Sequence, residues 1–180
     1  MLFTPRPLPT PILQLCERLN GDSRLVAHLH LVHDVAVEIV AGFRVRFPTL
    51  EMEQESVLFG AASHDLGKVV HPEELSGPGH RHELAGEQLL MENDVSPDLS
   101  RFCRTHGAWD REPLPLEDLL VALADTIWKG QRREELEMQI VNQIVEKTEL
   151  EPWLVFQNLD ELLTVIASCG DERLAWQARF

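Results

Sequence analysis

Apolar side chains in this chain recur at intervals of three and four residues, with no sustained alternation against polar ones. That period belongs to a helix, which brings every third or fourth side chain to one face; a strand switches faces at each residue. The clearest stripe runs through Val26, Leu29, Val32, Ala36, Ile39, Val40 and Phe43. Asp22 or Ser23 is placed to cap it, and Pro48 ends it by Phe47. A second helix is expected from near Thr49 through Val57, Leu58, Ala61 and Ala62 to Leu66, with Gly67 suited to close it. Periodic runs follow from Arg81 to about Glu92, Pro97 to about His106, Leu116 to Lys129, Arg132 to Lys147 and Trp153 to Ala167, with a short piece from Asp171. Prolines and glycines mark residues 70–80 and 107–115 as loops. The expectation is one all-α domain over residues 12–180 behind a proline-rich arm, residues 1–11.

Charge narrows the partners. Sixteen Lys and Arg stand against 30 Asp and Glu, a net charge of −14, which argues against binding a nucleic-acid polymer, whose backbone requires clustered cations. A phosphate-bearing substrate would need a metal or a local basic patch to overcome that field. The three cysteines, Cys16, Cys103 and Cys169, are too scattered for a disulfide framework. Pro5, Pro7, Pro9 and Pro11 break the only apolar stretch at the start, no basic segment precedes it, and no run of 18 apolar residues occurs. The chain reads as a cytoplasmic protein with no membrane span, oligomeric or not.

Histidines and aspartates sit on apolar helical ground. His33 lies inside the stripe of its helix, His64-Asp65 ends the next one, His82 opens the third, His106 closes the fourth, and Asp125 falls within the apolar run Leu119 to Trp128. A single histidine on such a face is usually a hydrogen-bonded core residue. Aspartates there are different, because a buried unpaired carboxylate costs several kcal/mol unless it meets a cation or takes a proton. No Lys or Arg shares the helical face of Asp65 in the preceding turns, so a metal is the indicated partner, and imidazole with carboxylate suits Zn, Fe, Mn and similar ions. His28 and His30 flank His33 but fall away from its stripe.

The order His33, His64-Asp65, Asp125, with the local wording Ala61-Ala62-Ser63-His64-Asp65-Leu66-Gly67-Lys68 and Ala122-Leu123-Ala124-Asp125, resembles the HD-domain metal-dependent phosphohydrolases, an all-α superfamily. His82 and His106 resemble the added histidines of members with two metals. The resemblance covers about residues 22–130 and leaves extra C-terminal helices outside it. It implies a helical bundle in which His33, His64, Asp65 and Asp125 hold one divalent ion and His82 and His106 complete a second site. The ion would be Fe, Mn, Zn, Co or Ni, with Mg possible. It further implies a metal-bound hydroxide attacking a nucleotide or other small phosphate ester or anhydride, with Asp65 and Lys68 catalytic and Lys68 contacting the phosphate. Lys129 and Arg133, in a basic cluster past Asp125, and Trp109, in the loop after His106, are candidates for holding the rest of the substrate. The GYP tripeptide of cyclic-di-GMP phosphodiesterases is absent. Two other readings stay open: a metal-binding sensory or interaction module without turnover, and a di-iron oxygenase.

Overall fold

The computed structural model describes residues 3–180; Met1 and Leu2 of the arm lie outside the described residues. Ten helices follow in order: α1 (Thr10–Arg18), α2 (Ser23–Arg46), α3 (Gln54–Ser63), α4 (Arg81–Glu92), α5 (Pro97–Ser100), α6 (Phe102–Thr105), α7 (Leu116–Ile127), α8 (Glu134–Thr148), α9 (Pro152–Ser168) and α10 (Gly170–Gln177). There is no strand among the described residues. The chain is an all-α bundle.

α2 is its axis. Asp22 caps it, its carboxylate accepting from the Arg24 amide at 2.8 Å. The helix is long and apolar enough to cross a membrane, with a mean hydropathy of 1.4 over its best window, but two-thirds of that window is buried inside the bundle. Leu31 to Ala36 are buried without interruption, so the helix is covered on nearly all sides. α3 and α7 pack against it, α8 and α9 close the far side, and Val35, Ile39, Phe43, Leu120, Leu123, Ile140 and Leu163 share one core. Each fully buried Leu, Ile or Phe of this kind contributes about 1.5–3 kcal/mol.

A second, smaller core joins Leu8 and Ile12 to Leu29, Ala62, Leu66, Leu90 and Cys103. Here the 3-10 turn Leu66–Val69 lies against α4. Gly67 and Gly86 make that approach possible: a Cβ on Gly67 would overlap the backbone of His82 and Gly86. The role expected of Gly67, closing α3, falls instead to His64, because α3 ends at Ser63. The helix expected from Thr49 begins at Gln54, the preceding segment being held by the Glu53 amide donating to Glu117 Oε1 at 3.0 Å. The run Pro97–His106 is two short helices, and the loop at residues 70–80 contains a 3-10 turn, Pro72–Leu75.

Both ends of the described chain fasten to α2. Arg6 of the arm donates its amide to Asp34 Oδ1 at 3.0 Å and its Nη1 to the same oxygen at 2.6 Å. Arg173 of α10 is fully buried and donates Nη1 to Ile166 O at 2.7 Å and Nη2 to Glu38 Oε2 at 3.2 Å. Glu38 Oε1 also faces Arg6 Nη1 at 3.8 Å.

Candidate metal centre

Five elements deliver their polar side chains to one place. His28 comes from the second turn of α2, His64 and Asp65 from the end of α3, His82 from the start of α4, His106 from the end of α6, and Asp125 from the last turn of α7. His28 Nε2 lies 3.1 Å from Asp125 Oδ1, 3.2 Å from Asp65 Oδ2 and 3.3 Å from His64 Nε2. His64 Nε2 lies 3.4 Å from Asp125 Oδ1. On the other side of Asp65, its Oδ1 faces His82 Nε2 at 3.2 Å and His106 Nε2 at 3.7 Å. Two triads therefore share Asp65: His28, His64 and Asp65, and Asp65, His82 and His106; in each, the ligand atoms lie within 4.8 Å of one another. His64, His106 and Asp125 form a third such group between them.

The far nitrogens of three rings are tied down. His64 Nδ1 donates to Ala61 O at 3.1 Å, His106 Nδ1 to Cys103 O at 2.9 Å, and His82 Nδ1 to Glu74 Oε2 at 2.6 Å. Carbonyls and carboxylates only accept, so these Nδ1 atoms carry protons and the neutral rings offer their Nε2 lone pairs inward. Buried Asp65 Oδ1 and His82 Nε2 have no hydrogen-bond partner among the described residues. An orphaned acceptor beside an orphaned imidazole nitrogen is costly in a protein interior and suits a shared divalent ion. The donor set, nitrogen and carboxylate oxygen without thiolate, fits Zn, Fe, Mn, Co or Ni.

Electrostatics show how tightly the groups are coupled. Burial would raise the Asp65 carboxyl, but the imidazoles of His64, His28 and His82 gathered around it hold it well below the usual carboxylate range. Asp125 is likewise held down against burial, by the adjoining imidazoles of His28 and His64. Burial opposes a charge on His28, yet its bonds to Asp125 and Asp65 outweigh this and raise it to about 9. His106, buried and next to His64, is lowered to about 4. Lys68 Nζ pairs with Asp65 Oδ2 at 2.5 Å.

His64, Asp65, His82, His106 and Asp125 thus meet, with Lys68 at their edge. His33 does not join them, which corrects the sequence expectation. It lies five residues beyond His28, roughly 140° around the helix and 7.5 Å along it. It is buried among core side chains beside Asp34, and its Nδ1 has no partner among the described residues. Burial lowers its pKa. His28, set aside because it left the apolar stripe, occupies the place assigned to His33. Trp109 and Lys129 line a cavity of about 330 Å³ together with His28, Asp65, Lys68, His82, His106 and Asp125. Arg133 lines a neighbouring cavity of about 700 Å³ that also touches Trp109, Asp125 and Lys129. His80 also lines the smaller cavity, with its Nδ1 2.8 Å from Glu83 Oε1.

A helical bundle carrying a buried histidine–aspartate cluster at the meeting of five elements defines a class built to hold divalent metal. A model of the HD domain matches residues 12–127, a span that contains every residue of the cluster. The chain belongs to the HD-domain family, which includes many metal-dependent phosphohydrolases. No curated protein and no solved structure matches it.

Proposed function

We propose that the protein is a metal-dependent phosphohydrolase that cleaves a small phosphate ester or anhydride, a nucleotide being the substrate class that fits best. One observation carries this reading: the two triads sharing Asp65 open on a cavity that also presents Lys68, Lys129 and Trp109. His28, His64, Asp65 and Asp125 would hold one ion; His82 and His106 would complete a second position with Asp65. A divalent ion bound there supplies Lewis-acid charge for phosphoryl oxygens and lowers the pKa of a coordinated water toward about 7.

The chain's own groups do the rest. Lys68 holds its ammonium at the mouth of the cluster, where it can donate to a phosphoryl oxygen as charge develops. Lys129 borders both cavities, and Arg133 borders the larger; neither side chain is in an ion pair among the described residues. Their neighbour Arg132 is fully engaged with Glu137 and Asp160. Two uncommitted cations in an acidic chain favour an anionic substrate. Trp109 offers an aromatic wall to a base.

The test is metal analysis of the purified protein, followed by phosphate release from a nucleotide panel with Mn, Fe, Co and Mg. Asp65→Ala should lose both metal and activity with helical content retained. Bound metal without release of phosphate from any compound would instead make the chain a metal-binding sensory module.

A further inference from the structure

Glu74 lies in the 3-10 turn of the 70–80 loop and is not part of either triad, yet its side chain is only 4% exposed. Its Oε2 accepts from His82 Nδ1 at 2.6 Å and from the His82 amide at 3.1 Å, while Oε1 accepts from the Arg81 amide at 3.2 Å. One carboxylate thus caps the first turn of α4 and fixes the ring on that turn. The opposite nitrogen of the same ring is the orphaned Nε2 that faces the orphaned Asp65 Oδ1.

We infer that Glu74 is a positioning residue for the second metal position, and that Gly79 exists to give it room. Its carboxylate keeps the proton on His82 Nδ1 and so keeps the Nε2 lone pair turned toward Asp65; partners of this kind set both the orientation and the basicity of a ligating imidazole. Gly79 sits against the same side chain. A Cβ there would overlap the Glu74 carboxylate and come within 2.6 Å of its Cγ. The φ of Gly79 is not in the left-handed region, so alanine strains nothing in the backbone. It acts only by pushing Glu74 aside. The loop and the second ion are thereby coupled, whereas the position around His28 and His64 has no contact with Glu74.

This inference rests on the cluster being a metal centre. Titrating metal-stripped protein with Co²⁺ or Mn²⁺, by calorimetry and by the visible spectrum of the cobalt form, separates the two. Wild type should take up two ions. Glu74→Gln, which keeps the volume and removes the charge, should weaken the second ion tenfold to a hundredfold and leave the first unchanged. Gly79→Ala, which keeps every polar group, should weaken the same ion and alter the same cobalt bands. A carboxylate that only capped α4 would shift the melting temperature of Glu74→Gln and leave both affinities as in wild type. That result overturns the inference, as does an unaltered second affinity in Gly79→Ala. A wild-type protein that binds no metal overturns the reading of the centre itself.

Discussion

His28 of α2 and Asp125 of α7 stand 3.1 Å apart, the closest approach between the first and last members of the cluster. No local segment creates this contact; it exists because α7 packs beside α2 with the end of one level with the beginning of the other. The two residues close the centre around Asp65.

Exchanging the two histidines of α2 distinguishes a ligand from a core residue. His28→Ala should remove the ion held with His64 and Asp125, lowering metal content by elemental analysis. His33→Ala should leave metal content unchanged and cost about 1–3 kcal/mol in chemical denaturation, as is usual for truncating a buried side chain. Loss of metal from the His33 variant alone would restore the sequence expectation.

Lys68 tests chemistry apart from metal binding. Its ammonium occupies Asp65 Oδ2, an oxygen an ion would also claim, so Lys68→Ala should bind metal at least as tightly as wild type. Turnover should fall by roughly a hundredfold or more, in line with the ~2.7–4 kcal/mol lost with one preorganised donor to a developing oxyanion. Native turnover in the variant would reduce Lys68 to a helix-end cation.

The His28 ion pairs also give the metal-free protein a pH signature. Its folded pKa of about 9 exceeds the unfolded value of about 6.5. The stabilisation is therefore fully present below about pH 6.5 and is lost as pH rises through about 9. The melting temperature of EDTA-treated protein should fall across that window, and His28→Asn should flatten this part of the profile. Metal binding at pH 7 should also release the His28 proton, read by calorimetry in buffers of different ionisation enthalpy. Equal heats in all buffers would contradict the assignment.

Much of this arrangement is legible in the residues. The period of the apolar positions yields α2 and α4 nearly to the residue, and His64-Asp65, His82, His106 and Asp125 stand out as polar groups on apolar ground. The error at His33 has a physical source. Choosing the histidine on the apolar stripe assumes a helix with one buried face, but α2 is buried all round over residues 31–36, so burial at His33 does not give the direction of the centre. Level along the axis was the better guide: His28 sits near the end of α2 that meets the end of α7. Glu74 could not be found this way. Nothing about a glutamate in a Pro/Gly loop distinguishes it until the loop folds back on α4.

Glu38 answers two guanidinium groups from opposite ends of the described chain, and one of them, Arg173, has no access to water. Stranding that buried cation would cost about 3–5 kcal/mol, so α2 is clamped against sliding or turning. The wall that carries His28 is accordingly the anvil of the site. Lys129 and Arg133, which border the neighbouring cavity, carry exposed side chains held by no ion pair among the described residues, so on the proposed reading they are the part of the site left free to adjust to a ligand.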